Sequence, residues 1–474
     1  MKIYEILEKI DYIEFIGNKN DEVVEITSDS RKVEDLNVFV AIKGYELDGH
    51  KFIDKAIENG AKLIVHTKDI KQKPNINYIK VEDDRRAFAE ISNLLNDYPA
   101  KKLIMIGVTG TNGKTTTSTY IYHILNKLNS LTAMIGTEGS FIGEEPIKTD
   151  NTTPEIDQTA RILKKAVAQK AKNAVIEASS HALALKRVYG IKFDYAIFTN
   201  LTPEHMDFHK TMENYFNDKM ILFENADKKI VNMDMEYGKL AKDRFKDTIT
   251  VAIDNDADYV AKNLKQDGRY VTFDVKGISF KLIAKGNYNV YNALCAMAVL
   301  CDIGYKLEEI SKVLEEFKGV RSRCEFIDND LGLDIIVDFA HTPYSFDKLL
   351  EGIDNEVVYV VYGINGDRTY EIRKDMGRIA ARHKVFSVVT LDDPKFDTVD
   401  NISSNIIEGI KEIGGEYVYI KNRKEAIKYA ITHAPKTAAV IMIGKGDEDF
   451  LKINGNNKIP YSEKDTLREV LEEI

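Results

Sequence analysis

Short apolar runs separated by polar turns organise the first hundred residues. VFVAIKG (38–44) and KLIVHT (62–67) have the length and composition of buried strands. The amphipathic segment FIDKAIENG (52–60) predicts a helix between them. Pro99 marks a linker after this stretch. We therefore predict an N-terminal α/β domain over residues 1–99.

Beyond that linker, apolar strands alternate with amphipathic helices. LIMIGVTG (103–110) reads as a buried strand that enters a glycine-rich turn, and TTTSTYIYHILNKL (115–128) reads as a helix. A second helix is predicted over 152–171, with Thr153 as its N-cap and Pro154 in its first turn. Further strands are predicted over 173–180, 195–202 and 229–234. This alternation predicts a largely parallel sheet covered on both faces.

The same alternation restarts near residue 323. Helical segments such as 424–434 separate four further predicted strands, which are 334–340, 356–363, 384–390 and 438–444. The pattern predicts a second doubly wound, Rossmann-like domain over 323–474, and it leaves residues 100–322 as a central domain.

Composition narrows the class of protein. The chain has 474 residues and a formal charge of -10, which disfavours a dominant nucleic-acid surface. Its three cysteines, Cys295, Cys301 and Cys324, form no C-x-x-C pair and read as reduced thiols. No run approaches the ~18 apolar residues that a membrane span needs. The expectation is a soluble cytoplasmic enzyme.

The glycine-rich turn GVTGTNGKTTT (107–117) is the strongest local signal. Its backbone N–H groups, together with a helix N-terminus, can surround phosphate oxygens. Lys114 would neutralise the outer phosphates, and the Thr115 hydroxyl would face Mg²⁺. The strict P-loop pattern has glycine where this chain has Val108, so the loop is a variant.

Several other polar residues are ambiguous when each is taken alone. Glu177 and Ser179 end a predicted strand, where open α/β sheets bind ligands, but Glu177 could equally be a capping or solvated carboxylate, and His181 is more often structural. His205, Asp207 and His209 suggest a metal site by spacing, yet the neighbourhood has too few ligands for zinc. Lys219 alone reads as an ordinary solvated helix lysine.

Two groups lie further along the chain. Asn289 and Asn292 are one helical turn apart and could read a purine edge, although asparagines at a helix start are more often caps. Other polar residues gather at the proposed domain junction, a preferred place for ligands: Arg321, Arg323, Asp338 and His341.

Taken in order, these segments resemble the Mur ligase family, and most closely its MurE type. The first domain resembles the family's uridine-binding domain over 28–61. The remaining motifs that carry the resemblance are GVTGTNGKTTT, NTTPE, EASSHALALKRV, FTNLTPEHMDFHKTMENYFNDKMILF, GNYNVYNAL, GVRSRCE and VDFAHTP. They follow the family's order and cover nearly the whole chain.

The resemblance implies roles that spacing alone does not. The implied catalytic residues are Lys114, Glu177, His205 and Lys219. Implied ATP contacts are Gly110, Thr111, Asn112, Gly113, Lys114, Thr115, Thr116, Asn289, Asn292, Arg323 and Asp338. Implied UDP-N-acetylmuramoyl-dipeptide contacts are Ser30, Asn151, Thr152, Thr153, Ser179 and Arg187. Implied Mg²⁺ ligands are Thr115, Glu177, His205 and Lys219, the last as a CO2-derived carbamate.

The implied reaction is formation of an amide between UDP-N-acetylmuramoyl-L-alanyl-D-glutamate and a diamino acid, driven by ATP through an acyl phosphate. It belongs to peptidoglycan biosynthesis, and a monomer is the default. Implied amino-acid contacts are Arg373, Asp392, Asp393, Pro394, Lys395, Gly444 and Glu448.

The identity of the diamino acid stays open. Diaminopimelate-adding members resemble D-N-P-R where this chain has Asp392-Asp393-Pro394-Lys395, and Asp447 replaces a family histidine. Lys395 offers a point charge where arginine would grip a carboxylate with two bonds. Asp393 could instead suit an ammonium group. Meso-diaminopimelate is slightly favoured because Lys395 is still a cation, with lysine, ornithine and lanthionine as alternatives.

Three other functions compete with this one. They are a folylpolyglutamate synthetase of the same superfamily, a P-loop NTPase that acts as a switch, and an inactive Mur-like binding subunit.

Overall fold

The structure is a computed structural model that describes residues 1–44, 47–149, 151–455 and 457–474. It divides into two compact units, Met1–Val251 and Ala252–Ile474. The predicted domain boundaries at 99/100 and 322/323 stay predictions. Within the described ranges, no helix is both long and apolar enough to cross a bilayer.

The first unit begins with a small α/β layer. Its elements are α1 (Ile3–Leu7), β1 (Glu14–Ile16), β2 (Ile26–Thr27), β3 (Asn37–Val40), α2 (Ile53–Glu58), β4 (Ala61–His66), β5 (Asn77–Lys80) and α3 (Asp84–Leu95), with 3₁₀ turns at Ser30–Lys32, Gly49–Phe52 and Pro99–Lys102. The sheet order is β1-β5-β4-β3-β2, in which only β1 pairs antiparallel. The two predicted strands and the helix between them are confirmed, although β3 and α2 are shorter than predicted and β4 lies one residue earlier.

The larger layer of the first unit is built on a parallel sheet. Its elements are β6 (Ile104–Thr109), α4 (Lys114–Lys127), β7 (Thr132–Gly136), β8 (Gly139–Ile142), β9 (Glu145–Ile147), α5 (Ile156–Ala168), β10 (Asn173–Glu177), α6 (Ser180–Ala184), β11 (Phe193–Phe198), α7 (Met206–His209), α8 (Met212–Glu224), β12 (Ala226–Asn232), α9 (Glu236–Arg244) and β13 (Thr248–Ala252). Strands β13-β12-β11-β6-β10-β7 are parallel, whereas β8 and β9 pair antiparallel at one edge. Central β6 is buried on both faces, as its apolar run predicts.

The second unit starts with an antiparallel sheet and two helices. These elements are β14 (Tyr259–Asp267), β15 (Tyr270–Val275), β16 (Ile278–Ile283), α10 (Asn287–Ile303) and α11 (Leu307–Glu315). The rest of the unit consists of β17 (Glu325–Ile327), β18 (Asp334–Asp338), α12 (Pro343–Glu351), β19 (Val358–Tyr362), α13 (Tyr370–Arg382), β20 (Phe386–Val389), α14 (Val399–Ile413), β21 (Tyr417–Tyr419), α15 (Arg423–His433), β22 (Ala439–Ile443), β23 (Phe450–Ile453), β24 (Asn457–Pro460) and α16 (Glu463–Glu472). Its sheet order β17-β18-β22-β19-β20-β21 is parallel except for β17, so the predicted α/β alternation is confirmed.

Two predicted bounds in the first unit are wrong for a reason that the hydrogen bonds show. The helix predicted to begin with Thr153 as its N-cap begins only after Glu155, because the Thr153 hydroxyl donates to the Glu177 carbonyl oxygen (2.6 Å) instead of capping a helix. The strand predicted over 173–180 ends at Glu177, because Ser179 is the N-cap of α6 and accepts a hydrogen bond from the Ala182 N–H.

Candidate active site

The glycine-rich turn joins β6 to the N-terminus of α4. Gly110 and Gly113 have φ values of +147° and +84°, and a Cβ at Gly110 would collide with the Thr199 hydroxyl. Val108 lies within β6 and is fully buried, so the turn begins two residues later than the strict pattern requires. The turn thus retains glycine at the positions that need it, and its N–H groups stand at the start of a 14-residue helix.

The segment after β11 holds this turn in place. The Asn200 side chain accepts from the Asn112 N–H (2.9 Å) and donates to the Asn112 carbonyl oxygen (3.0 Å). The Thr199 hydroxyl also donates to that carbonyl (2.6 Å). The Thr111 hydroxyl lies 3.2 Å from the Tyr215 hydroxyl. The residues that fix the phosphate-binding turn therefore come from the segment after β11 and from α8.

Two lysines converge on one carbonyl oxygen of the turn. Lys114 Nζ donates to the Gly110 carbonyl oxygen at 2.9 Å, and Lys219 Nζ donates to the same oxygen at 2.8 Å. Lys219 is 1 % exposed, and its amine lies 4.4 Å from the centre of the Tyr215 ring. Burial, followed by the neighbouring Lys114 charge, holds the pKa of Lys219 well below its usual value. The interpretation of Lys219 as a solvated lysine is wrong: it is a buried amine that favours the neutral form.

Glu177 is fully buried and held by three donors. Its carboxylate accepts from the Thr115 hydroxyl (2.9 Å), the Thr137 N–H (3.0 Å) and the Thr137 hydroxyl (3.0 Å). The interpretation as a solvated carboxylate is therefore wrong. A carboxylate and a threonine hydroxyl side by side suit Mg²⁺, which takes few protein ligands and keeps waters. Lys219 would join such a set only as a carbamate, since an amine lacks the oxygen ligands that Mg²⁺ prefers.

Gly136 leaves the space in which the Glu177 carboxylate lies. A Cβ there would collide with Glu177 Oε1, so Gly136→Ala must displace this carboxylate. We expect kcat to fall about 100-fold, the cost of misplacing a catalytic group by ~1 Å. Steady-state turnover measures the effect. In the comparison variant Gly277→Ala, the new Cβ lies between β15 and β16 and meets no atom within 4 Å. Its φ of +85° disfavours alanine and lowers stability, but the folded variant should keep its turnover. Wild-type turnover in Gly136→Ala would remove Glu177 from the site.

The residues implied to bind the muramoyl-dipeptide gather beside Glu177. The Thr152 hydroxyl lies 3.1 Å from that of Thr137, and the Thr153 hydroxyl accepts from the Ser179 N–H (3.1 Å). Arg187 Nη1 donates to the Thr153 carbonyl oxygen (3.1 Å). Asn151 is exposed next to them. Ser30 lies in the small α/β layer, where its carbonyl oxygen accepts from Asn59 Nδ2 (2.8 Å).

Histidines form a cluster where α6, α7 and α8 meet. His209 Nδ1 lies 2.6 Å from Asp218 Oδ2, and its Nε2 lies 2.9 Å from the Ser180 hydroxyl, so this ring ties the three helices together. The His181 ring lies 4.8 Å from that of His205. Burial, with the neighbouring His205 and His209, lowers the pKa of His181 to about 4. In the described residues no three histidine, cysteine or acidic side chains are placed to share a metal ion.

The implied adenine and third-domain contacts lie in the second unit. Asn289 and Asn292 are both buried in α10, and Asn289 Nδ2 donates to the Lys285 carbonyl oxygen (3.0 Å). Asp338 accepts from the Cys324 N–H (2.6 Å) and the Ala340 N–H (2.7 Å), while burial raises the pKa of its carboxyl group. The Arg323 guanidinium lies 5.0 Å from the centre of the Phe339 ring.

The implied amino-acid residues occupy two loops of the second unit. Asp393 is buried, and its Oδ1 accepts from Lys445 Nζ (2.9 Å) and the Lys452 N–H (2.9 Å). Lys445 also donates to Glu448 (2.7 Å). Burial alone would lower the pKa of Lys445, but Asp392 and Glu448 outweigh burial and raise it. The idea that Asp393 offers a free charge to a substrate ammonium is therefore wrong, since Lys445 already neutralises it.

The other charged side chains in and around these loops also form ion pairs or hydrogen bonds. Lys395 forms an ion pair with Asp367, and Asp447 accepts from Arg321 Nη2 (2.9 Å). The Arg373 guanidinium donates to Asp397 (2.7 Å) and Asn405 (3.1 Å). It also donates to two loop carbonyl oxygens, those of Gly366 (2.7 Å) and Arg368 (2.9 Å). Little of Arg373 is left to grip a substrate carboxylate, and that role stays a prediction.

Comparison with known proteins places this arrangement in a family. Residues 22–94 match the Mur ligase family catalytic domain, residues 108–300 the Mur ligase middle domain, and residues 322–446 the Mur ligase glutamate ligase domain. The UDP-N-acetylmuramoyl-L-alanyl-D-glutamate--2,6-diaminopimelate ligase 1 of Clostridium acetobutylicum is 39% identical over 484 residues, covering all of both chains. The chain belongs to the Mur ligase family. The corresponding ligase of Clostridium botulinum is 37% identical, again covering both chains completely.

Solved structures agree with this placement. A UDP-N-acetylmuramoyl-L-alanyl-D-glutamate--2,6-diaminopimelate ligase has a TM-score of 0.70 and 26% identity, covering 100% of this chain and 99% of its own. The MurF ligase of Thermotoga maritima, solved in complex with ADP, has a TM-score of 0.63 and 19% identity, covering 95% and 97%. The predicted α/β fold with three Mur ligase domains is thereby confirmed.

Some residues of this Mur ligase site were not anticipated from the sequence. Thr137 donates hydrogen bonds to the Glu177 carboxylate, and Gly136 leaves space for it. Asn200 holds the phosphate-binding turn by hydrogen bonds. Arg368 is half-buried, and its guanidinium makes no hydrogen bond or ion pair with any residue in the described ranges. The sequence does offer a signal for Arg368, because it lies just beyond the turn Gly366-Asp367 that follows the predicted strand 356–363, at the sheet edge where ligands bind.

Proposed function

We propose that this protein is the ATP-dependent ligase that joins a diamino acid, meso-diaminopimelate, to UDP-N-acetylmuramoyl-L-alanyl-D-glutamate in peptidoglycan biosynthesis. One observation carries the proposal: Lys219, a buried amine whose pKa burial and Lys114 hold well below its usual value, shares the Gly110 carbonyl oxygen with Lys114 of the phosphate-binding turn. A neutral amine at that place can take up CO2 and become an anionic oxygen ligand beside the nucleotide. The relatives named for this reaction match the chain over its full length.

The reaction begins with transfer of the ATP γ-phosphoryl group to the γ-carboxylate of D-glutamate. One carboxylate oxygen forms a bond to phosphorus, and ADP leaves with the electrons of the broken bond. Lys114 and the N–H groups of the turn stabilise the charge on the transferring group. Thr115, Glu177, His205 and carbamylated Lys219 would hold Mg²⁺, whose charge supports the same transfer.

The second half of the reaction forms the amide. The amine of the diamino acid attacks the activated carbonyl carbon, loses a proton, and expels phosphate that carries away the carboxylate oxygen. Asn151, Thr152, Thr153, Ser179 and Arg187 would hold the muramoyl-dipeptide next to Glu177, and Ser30 its uridine. Asn289, Asn292, Arg323 and Asp338 would contact the nucleotide. Exclusion of water protects the acyl phosphate from hydrolysis.

Recognition of the diamino acid would fall to the loops that carry Asp392–Lys395 and Gly444–Glu448. The guanidinium of Arg368 can still donate hydrogen bonds to a ligand. That of Arg373 already donates to the carbonyl oxygens of Gly366 and Arg368 and so holds the loop in place. We therefore place the grip on the distal carboxylate at Arg368, with Arg373 as the alternative and Lys395 as a second cation.

Arg368→Ala should raise the KM for diaminopimelate about 10-fold to 100-fold, the cost of losing a charge-assisted hydrogen-bonded pair. Its effect on the KM for ATP should be small, since only the amino acid loses a partner. Arg382→Ala provides the control, because Arg382 lies on α13 with a side chain that is 60% exposed. An unchanged KM in Arg368→Ala would return the carboxylate grip to Arg373.

The acyl phosphate can be tested by isotope transfer. A substrate labelled with ¹⁸O in the D-glutamate γ-carboxylate should deliver one ¹⁸O atom to each phosphate released, as measured by mass spectrometry. Unlabelled phosphate would exclude the acyl phosphate and favour a P-loop switch that simply hydrolyses ATP. A folylpolyglutamate synthetase would instead release labelled phosphate only when the label is on a folate substrate.

We place the reaction in the cytoplasm, with the protein acting as a monomer.

A further inference from the structure

One buried arginine bridges the two loops that carry the proposed amino-acid contacts. Arg423, the first residue of α15, donates through Nη1 to the Leu391 carbonyl oxygen (2.9 Å) and through Nη2 to the Ile443 carbonyl oxygen (2.9 Å). Leu391 directly precedes Asp392, and Ile443 directly precedes Gly444. A single guanidinium therefore fixes where both loops leave the sheet.

The arginine itself is locked by a second buried residue. Glu463, the first residue of α16, accepts from Arg423 Nε (2.8 Å) and Nη2 (2.6 Å) in a two-pronged ion pair, and the Tyr461 hydroxyl donates to the same carboxylate. Both partners are almost completely buried. Apolar residues of similar size often replace such pairs without loss of stability. We therefore attribute a geometric role to this pair: Glu463 orients the planar guanidinium so that its N–H groups donate to the two carbonyl oxygens.

Two close contacts between the loops depend on their separation. The Asp392 carboxylate lies where a Cβ on Gly444 would be, and Gly444 has a φ of +103°. Between the same two loops, Asp393 Oδ1 accepts a hydrogen bond from Lys445 Nζ (2.9 Å). A small shift of either loop would break this contact and move Glu448, which Lys445 also holds.

We propose that Arg423, locked by Glu463, is a positioning residue for the incoming amino acid. It acts through the main chain of Leu391 and Ile443, sets the distance between Asp392–Lys395 and Gly444–Glu448, and touches no substrate. This role rests on the proposed function of those two loops.

The test uses the full-length double variant Arg423→Met with Glu463→Leu, which removes both charges and leaves no buried ion unpaired. We expect the KM for the amino acid to rise about tenfold or more, the scale set by sub-ångström misplacement of binding groups, while the KM values for ATP and the UDP substrate stay unchanged. Hydrogen–deuterium exchange should increase in 391–395 and 443–448 together. Arg423→Lys, which keeps the charge but not the planar fork, should recover only part of the affinity.

Lys424→Met is the matched control. Lys424 also joins α15 to α16, through Glu469 (2.8 Å) and Glu473 (2.8 Å), but no contact of its side chain with either loop is found among the described residues. It should leave the KM for the amino acid and the exchange of both loops unchanged. Wild-type exchange in both loops of the double variant, or an equal loss in all three KM values, would overturn the positioning role. Absence of ligation by the wild-type protein would instead count against the proposed function, and the exchange measurement would still decide whether Arg423 couples the loops.

Discussion

Lys219→Met is expected to abolish ligation, with a loss in kcat of about 1,000-fold or more, the scale of removing a group that stabilises charge in the transition state. Methionine fills similar space but cannot take up CO2. The variant therefore removes the anionic ligand that we propose for the reaction, while it keeps the packing of α8 against the phosphate-binding turn. Phosphate release in the complete substrate mixture measures the loss.

The same substitution should not unfold the protein. At pH 7 the unfolded chain protonates Lys219, whereas the folded chain disfavours its protonation, because burial and Lys114 lower its pKa. A folded-state pKa below the unfolded one means that this lysine destabilises the native state at every pH below its unfolded pKa. Lys219→Met should match or exceed the wild-type Tm near pH 7. Retained turnover in a folded Lys219→Met variant would remove the lysine from the mechanism.

Lys114→Met is expected to lower kcat about 100-fold to 1,000-fold, because the γ-phosphoryl group loses the cation that offsets its charge. The chemical step should suffer more than binding, since the backbone N–H groups of the turn remain. Single-turnover kinetics with saturating ATP separate the two effects.

Lys127→Met serves as the control for Lys114→Met. Lys127 is the last residue of the same helix, α4, and lies at the end opposite the turn. Its substitution should leave kcat unchanged. Equal kinetics in Lys114→Met and Lys127→Met would show that the turn does not act on phosphate.

The phosphate-binding turn was predictable because its determinants are local. An apolar run, three glycines and a helix-forming stretch occur in consecutive residues, and the structure has β6, the turn and α4 there. Thr153 was misread because a threonine before proline is also a good N-cap signal, and only the fold brings the Glu177 carbonyl oxygen within its reach.

Lys219 shows what sequence reasoning can recover. Its burial depends on α8 packing against a turn more than 100 residues away, which no local pattern specifies. Nevertheless, Tyr215, Lys219 and Phe223 recur at four-residue intervals, so the lysine lies on the buried stripe of its own helix. A lysine within an apolar stripe is a signal of a perturbed amine. The sequence does not show which of Arg368 and Arg373 is available to a ligand. That depends on the loop conformation, in which the Arg373 guanidinium donates to two loop carbonyl oxygens.

The most direct test of the central claim is phosphate release with ATP, Mg²⁺ and UDP-N-acetylmuramoyl-L-alanyl-D-glutamate, measured separately with diaminopimelate, lysine, ornithine and lanthionine. We expect release only when both the UDP substrate and an amino acid are present, with diaminopimelate giving the highest kcat/KM. Release that does not depend on the UDP substrate would contradict the ligase assignment.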